Sequence, residues 1–154
     1  MQPGDRGEAE FARQDQAPVG TAVYAGGEQP DQLYALWTRA EGMFWTLTDQ
    51  IGSVRRVLDS RGNEVAALNY DSYGNLISAI GTNPDAAGRF AFAGREWDAD
   101  AGLYFNRARY YDPELGRFIS EDPLGFDAGE ANLYGYARNN PLRYRDPLGT
   151  VAAI

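Results

Sequence analysis

The sequence contains no cysteine, no histidine and no lysine among its 154 residues. The lack of cysteine excludes disulfides, thiol nucleophiles and cysteine-type metal sites. The lack of histidine excludes the usual general base, the Ser-His-Asp triad and the commonest ligand of transition metals. Carboxylates are therefore the main groups left for catalysis, and we predict no cofactor and no metal site.

Positive charge is also scarce, since 14 basic residues, all arginine, oppose 22 acidic residues and leave a net charge of −8. This acidic balance argues against nucleic acid as a partner, because phosphate binding depends on cationic side chains. Long apolar runs are missing as well: no stretch approaches the roughly 18 residues of a membrane-spanning helix, so we predict no membrane span. The N-terminus lacks the basic start and apolar stretch of a Sec signal peptide.

The composition favours strands and turns, with 13% aromatic residues, 18 glycines and 8 prolines. Residues 1–20 are polar and show no stable period, which predicts a disordered leader. From Val23 onward, short apolar runs alternate with turn residues. The predicted strands are residues 33–38, 44–49, 54–59, 65–70, 76–79, 90–92, 104–111 and 118–119. The predicted fold is mainly β, a strip of stacked antiparallel hairpins with one short helix near the C-terminus.

That short helix is predicted at residues 132–138. Asn132 can cap its N-terminus, and Asn139 or Asn140 can end it in the left-handed conformation. Because Gly135 weakens helical propensity, we expect no more than one or two turns.

Residues 62–75 and 102–117 form a loose internal repeat. Each unit reads glycine, an extended run, Tyr-Asp, a turn and a second glycine. The aspartate, Asp71 or Asp112, is predicted to cap the turn through its side chain, while glycine supplies positive φ. One hairpin cannot bury its face alone, so we expect the units to stack and to be part of a longer array.

The tetrapeptide Asp-Pro-Leu-Gly occurs twice, at residues 122–125 and 146–149. Asp first, Pro second and Gly last are typical of a β-turn, so one interpretation is purely structural. The other is catalytic, because Asp122 and Asp146 occupy matched local frames in a chain without histidine or cysteine. Two carboxylates brought close share a proton; the ionised member can activate water while the protonated member polarises a carbonyl.

Two charged clusters also allow a functional and a structural interpretation. The first is an acidic run, Glu96, Asp98 and Asp100. We predict that it forms a solvated turn and not a metal site. In the second, Arg107 and Arg109 share one face of the predicted strand over residues 104–111. Pairing with nearby carboxylates is a simpler expectation for these arginines than a functional row.

Residues 92–149 resemble the RHS repeat-associated core domain, and residues 47–55 and 70–75 resemble the YD repeats that precede that core. The matching motifs are Gly-Arg-Glu at 94–96, Arg-Ala-Arg-Tyr-Tyr-Asp at 107–112, Gly-Arg-Phe at 116–118 and both Asp-Pro-Leu-Gly segments. The structural motif residues are Gly94, Arg95, Tyr110, Tyr111, Asp112, Gly116, Arg117, Phe118, Pro123, Gly125, Pro147 and Gly149. The expected division is a leader at 1–20, YD-type hairpins at 21–80, the core at 81–150 and a tail at 151–154.

The resemblance implies a packaging architecture. RHS and YD-repeat proteins are long β-hairpin chains that spiral into a hollow shell, which the core closes around a C-terminal toxin used in interbacterial competition. The implied partners are thus an upstream shell and a toxin domain. As part of such a protein the chain would be secreted or on the cell surface by a non-Sec route, and otherwise cytoplasmic. An isolated end-piece would expose strand edges, so we also expect self-association.

In several such proteins the core is an aspartyl autoprotease. The resemblance carries the catalytic role to Asp122 and Asp146 and the cut to the bond between Thr150 and Val151. Because enzyme and substrate are one chain, orientation alone can contribute roughly 7–11 kcal/mol. Ser120 and Arg117 are candidates for supporting groups. The alternative is an orphan or surface-adhesion remnant with no catalytic activity.

Three features differ from the pattern of the cleaving members. Glu121 stands where they often carry arginine, and Thr150 where they usually carry leucine. The spacing between Phe126 and Asp146 is 19 residues, one more than in those members. A positive charge before the first aspartate could keep it ionised, so we expect Glu121 to act in the opposite direction.

Overall fold

The computed structural model describes residues 22–26 and 33–152, which fold into two antiparallel sheets. In the first sheet the strands follow in chain order: β1 Ala22–Gly26, β2 Leu33–Thr38, β3 Gly42–Thr48, β4 Val54–Leu58, β5 Glu64–Tyr70 and β6 Leu76–Ile80. The second sheet has the order β10-β9-β8-β7, with β7 Glu96–Asp98, β8 Leu103–Asn106, β9 Arg109–Asp112 and β10 Arg117–Phe118. The mainly β prediction is confirmed. The predicted leader, residues 1–20, lies outside the described residues.

Aspartate-capped turns join the strands of the first sheet. Oδ1 of Asp71 accepts hydrogen bonds from the backbone N–H groups of Tyr73 (2.8 Å) and Asn75 (3.0 Å). Asp59 repeats the same pattern one hairpin earlier. Gly74 takes a φ of 94°, a conformation that favours glycine. The turn chemistry predicted from the repeat is therefore present.

The predicted strand over residues 104–111 is wrong as a single element. It divides into β8 and β9, a hairpin whose two-residue loop begins at Arg107 with a φ of 58°. The N–H of Ala108 donates to the carbonyl of Leu148 at 3.1 Å instead of joining the ladder. Arg107 and Arg109 therefore do not form a row on one strand.

The predicted helix over residues 132–138 is also wrong, because tertiary contacts hold the middle of that segment in a non-helical conformation. Gly135 forms a β-bridge with Arg117, and Tyr136 is extended (φ −111°, ψ 133°). The Tyr136 ring packs 4.0 Å from that of Tyr111, measured between centroids. Within the described residues the helical segments are all short 3₁₀ turns: Pro84–Ala87, Phe92–Gly94, Gly125–Ala128 and Ala137–Asn139.

Two further segments differ from expectation. Residues 90–92 do not form a strand: Phe90 makes an isolated bridge with Glu96, and a 3₁₀ turn follows at Phe92–Gly94. The acidic run predicted to be a solvated turn contributes Glu96–Asp98 to β7. A turn is present only at the end of this run, where Oδ1 of Asp98 accepts hydrogen bonds from the N–H groups of Asp100 and Ala101.

A continuous core joins the two sheets. Phe92 lies 5.9 Å from Tyr70 of the first sheet and 6.0 Å from Tyr104 of the second, between ring centroids. From Tyr104 the aromatic contacts continue through Tyr111 to Phe118. This cluster places β9 and β10 against the segment that carries both Asp-Pro-Leu-Gly sequences. None of the helical segments in the described ranges has the length and hydrophobicity needed to cross a membrane.

Candidate active site at the paired Asp-Pro-Leu-Gly turns

The two Asp-Pro-Leu-Gly sequences form the same β-turn. In the first, the N–H of Gly125 donates to the carbonyl of Asp122 at 2.9 Å; in the second, the N–H of Gly149 donates to the carbonyl of Asp146 at 3.3 Å. The closing glycines have φ values of 58° and 68°. The structural interpretation of the tetrapeptide therefore holds for both copies, and each aspartate is the first residue of its turn.

The structure brings the two aspartates together around a single nitrogen atom. Nη2 of Arg109 lies 2.9 Å from Oδ2 of Asp122 and 3.3 Å from Oδ2 of Asp146. All three side chains are buried, with exposed fractions of 2% for Arg109, 7% for Asp122 and 3% for Asp146. The other carboxylate oxygens accept backbone N–H groups, from Leu124 (2.8 Å) and from Thr150 (3.0 Å).

Arg109 is the residue that assembles this cluster. Its Nε donates to the carbonyl of Gly149 at 2.6 Å, and its Nη1 donates to the carbonyl of Leu133 at 2.9 Å. The guanidinium carbon lies 3.7 Å from the centroid of the Phe118 ring, within the range of a cation–π contact. Pairing with carboxylates was the simpler expectation for Arg109, but its role in joining both aspartates was missed. The available signal was its strand position, on the face of the buried Tyr111.

The cluster contains two carboxylates and one guanidinium, so it carries a net negative charge when fully ionised. Burial raises the pKa of Asp146 above its ordinary value. The Thr150 amide, the Arg109 guanidinium and the Gly149 amide oppose this shift, and the charge of Asp122 adds to it. Asp146 therefore binds a proton more readily than an ordinary aspartate.

Every carbonyl of the second turn accepts a hydrogen bond from outside or within the turn. The Asp146 carbonyl accepts from Nδ2 of Asn106 at 2.8 Å as well as from Gly149. The carbonyl of Pro147 accepts from Nη1 of Arg95 and from Nη1 of Arg107. The carbonyl of Leu148 accepts from the N–H of Ala108, and the carbonyl of Gly149 accepts from Nε of Arg109. The β8–β9 hairpin and its neighbours thus hold the backbone that leads into Thr150.

The predicted scissile bond lies beside the aspartates. Thr150 is tied to Asp146 through its amide, and Thr150 and Ala152 line the same small cleft as both aspartates and Arg109. Val151 between them is 45% exposed. The arrangement therefore places the Thr150–Val151 peptide at the mouth of a cleft that contains two carboxylates.

The other predicted supporting groups lie elsewhere. Arg117 has its guanidinium carbon 4.7 Å from the centroid of the Tyr134 ring, and Ser120 is exposed. Glu121, whose charge was expected to oppose ionisation of Asp122, accepts a hydrogen bond from the Tyr134 hydroxyl at 3.3 Å. The positive charge beside Asp122 comes instead from Arg109. In the described part of the chain, no group of three acidic side chains is arranged to hold a metal ion.

The fold and this cluster define a class of protein: an antiparallel strip of aspartate-capped hairpins whose C-terminal part buries an Asp–Arg–Asp group. The family model of the Teneurin YD-shell matches residues 27–142. The chain therefore belongs to the YD-shell family, and its predicted relationship to RHS and YD-repeat proteins is confirmed.

Known proteins resemble the chain over most of its length. It is 42% identical over 106 residues to salivary gland surface protein 1 of Aedes aegypti, which covers 69% of this chain and 3% of that protein. It is 39% identical over 114 residues to double-stranded DNA deaminase toxin A of Burkholderia cenocepacia, covering 72% of this chain and 8% of that toxin. The solved structure of TcdB2-TccC3 without its hypervariable C-terminal region matches with a TM-score of 0.71 at 30% identity, over 83% of this chain and 6% of the other. The chain thus spans a small part of each of these proteins.

Proposed function

We propose that this chain is the closing segment of a toxin-enclosing β-shell and that it cleaves itself between Thr150 and Val151. The observation that carries the proteolytic part is the contact of Asp122 and Asp146 with one nitrogen of Arg109, beside a Thr150 amide bound to Asp146. The packaging part is supported by membership of the YD-shell family and by a relative that is named a toxin.

The chemistry follows from the different surroundings of the two carboxylates. Asp122, with the shorter contact to Arg109, acts as the base: it takes a proton from a water molecule whose oxygen attacks the carbonyl carbon of Thr150. Asp146, the carboxyl that burial keeps protonated more readily, donates its proton to the amide nitrogen of Val151 as the C–N bond breaks. The products are a carboxyl group on Thr150 and an amine on Val151.

The backbone contacts contribute by orienting the peptide. Arg109 holds the carbonyl of Gly149, and Asp146 holds the amide of Thr150, so the Gly149–Thr150 peptide group just before the cut is fixed at both ends. Well-oriented intramolecular groups gain roughly 7–11 kcal/mol over separate reactants. A slow, single-turnover reaction therefore needs no metal, cofactor or histidine in this proposal.

The cleavage test uses the full chain with an inert extension added after Ile154. Intact mass spectrometry should find the parent cut between Thr150 and Val151, and Asp122→Asn or Asp146→Asn uncut. Asp127→Asn is the matched control, because Asp127 is exposed in the adjacent turn and should leave the cut unchanged. A parent that stays intact after folding would overturn the proteolytic part.

The proposed partners are an upstream YD-repeat shell and a C-terminal toxin domain. Within the described residues, strand β6 has a neighbouring strand on one side only. Leu76, Ile77 and Ile80 on this strand are all more than half exposed, and β6 carries no charge to oppose edge pairing. We therefore propose that the isolated chain self-associates; a monodisperse monomer in light scattering would contradict this.

A non-catalytic surface module is the second candidate function. One observation favours it: the relative that is 42% identical is named a salivary gland surface protein. In that case the buried Asp–Arg–Asp cluster serves only to hold the two turns together. The same mass measurement separates the two candidates, because a surface module leaves the extended chain intact.

A further inference from the structure

We propose that Arg109 is the positioning residue of the self-cleavage, so that one side chain sets both the spacing of the aspartates and the place of the peptide. This inference rests on the proposed proteolysis. Nη2 of Arg109 contacts Oδ2 of Asp122 and Oδ2 of Asp146, while Nε of Arg109 donates to the carbonyl of Gly149, one residue before Thr150. No other described contact joins the two carboxylates to the chain that is cut.

Contacts on several sides fix the orientation of the Arg109 guanidinium. Nη1 donates to the Leu133 carbonyl, and the Phe118 ring covers one face of the guanidinium plane. A lysine would keep the charge, but its single nitrogen cannot reproduce contacts made by three separate nitrogens. The charge alone is therefore insufficient, and the planar shape of arginine is part of the function.

The charge of Arg109 also sets the pH range of the reaction. The Arg109 guanidinium lowers the pKa of Asp146 against the effect of burial, so without it Asp146 would bind its proton more readily. Cleavage requires the proton of Asp146, so the limb of the rate profile on which that proton is lost would move to higher pH. The other groups at this site are Glu130, which lines the cleft and pairs with Arg138 at 3.6 Å, and Tyr136. Burial raises the pKa of Tyr136 further above its ordinary value of 10.0, so that residue stays neutral.

The test measures the cleavage rate of the C-terminally extended chain, labelled during cell-free synthesis and then diluted into buffers of increasing pH. Arg109→Gln should slow the cut by about 100-fold, the size expected when reacting groups are misplaced by about 1 Å, and should move the rate maximum to higher pH. Arg109→Lys should be slowed by a similar factor with a smaller shift of the profile. Arg61→Gln is the matched control, since Arg61 is exposed in the Asp59 turn of the first sheet and should keep the parent rate.

The outcomes separate this inference from the function on which it depends. If the parent is uncut, the proteolysis itself is overturned and Arg109 is left as a structural residue. If the parent is cut and a folded Arg109→Gln keeps the parent rate, the positioning role is overturned; if Arg109→Gln is slowed equally at every pH, the role of the charge in setting the pH range is overturned. Thermal unfolding followed by circular dichroism identifies variants that do not fold, and Arg109→Lys, which keeps the charge, then decides between the two roles.

Discussion

The two Asp-Pro-Leu-Gly turns have the same sequence and the same hydrogen bond across the turn, yet they lie in different environments. The leucine is exposed in both turns, but Pro123 is exposed and Gly125 half-buried in the first, whereas Pro147 is half-buried and Gly149 buried in the second. The carbonyl of Leu124 accepts from the nearby amide of Asp127, whereas that of Leu148 accepts from the Ala108 amide of the β8–β9 hairpin. Four residues are thus enough to specify a turn, but not to specify what the turn does.

The difference comes from the β8–β9 hairpin, which donates to the second turn and not to the first. Asn106, Ala108 and Arg109 all donate to carbonyls of that turn. The first turn receives from the hairpin only the Nη2 contact on the Asp122 carboxylate. The hairpin consequently holds Asp146 at both its carbonyl and its carboxylate, whereas it holds Asp122 only at its carboxylate, and the amide of Asp122 is held instead by the Leu133 carbonyl.

The largest expected difference is between Gly149→Ala and Gly125→Ala. Both glycines have positive φ, which costs an alanine roughly 1–2 kcal/mol. A methyl group on Gly149 would in addition overlap the carbonyl oxygen of Asn106 and lie 3.0 Å from the backbone nitrogen of Arg109, whereas nothing lies within 4 Å of the same position on Gly125. We expect Gly149→Ala to lower the free energy of unfolding by about 3 kcal/mol or more, since overpacking adds roughly 1–3 kcal/mol.

Urea unfolding of the two variants beside the parent measures this comparison. Gly125→Ala should lose only the backbone term of about 1 kcal/mol. Equal losses for the two alanines would show that the second turn is no more tightly held than the first. The tight packing around Gly149 would then have no energetic consequence.

The next largest effect is expected at Asn106, which donates from Nδ2 to the Asp146 carbonyl and is 1% exposed. Asn106→Ala removes this buried hydrogen bond and leaves a gap beside the second turn, so we expect a loss of about 2 kcal/mol in unfolding free energy. Asn132→Ala is the matched control, because Asn132 is exposed and only accepts from the Tyr134 amide. Urea unfolding should find that control within about 0.5 kcal/mol of the parent. Similar losses for both asparagines would contradict the contrast between the turns.

Much of the strand pattern was predictable because it depends on local chemistry. Short apolar runs between aspartate-glycine turns predicted residues 33–38, 54–59 and 65–70, and the structure has strands at Leu33–Thr38, Val54–Leu58 and Glu64–Tyr70. Each of these runs ends at a residue whose side chain or glycine backbone favours a turn. At Arg107 the sequence has no glycine or proline to indicate a turn, so β8 and β9 were predicted as a single strand.

The site was predictable only in part, for a physical reason. The repeated tetrapeptide identified Asp122 and Asp146 as a pair, since the turn that each forms is local. The residue that joins them is 37 positions from Asp146 in the chain, and no local pattern shows which carboxylates an arginine on a strand will meet. The helix predicted near Tyr136 is absent for the same reason, because contacts of the Tyr136 ring with the distant Tyr111 and Phe118 rings hold Tyr136 in an extended conformation.

The smallest expected effect is a difference in pH dependence between Asp146 and an aspartate of an ordinary hairpin turn. The pKa of Asp146 is raised in the folded protein, chiefly by burial. Its contribution to stability is therefore complete below the ordinary value of 3.8 and is lost as the pH rises through the folded pKa. Asp146→Asn should remove this loss. As the pH increases above about 4, the unfolding free energy of the variant should therefore rise relative to that of the parent.

Asp71 gives the opposite sign in the same measurement. Burial raises its pKa, but hydrogen bonds from the Asn75 side chain and from the amides of Asn75, Tyr73 and Gly74 outweigh burial and lower it. Its contribution is present above the ordinary value of 3.8 and is lost as the pH falls through the lower folded pKa. Asp71→Asn should therefore cost most near neutral pH and least in acid. If the two variants follow parallel curves against pH, the second Asp-Pro-Leu-Gly turn holds its carboxyl no differently from the aspartates that cap the hairpins.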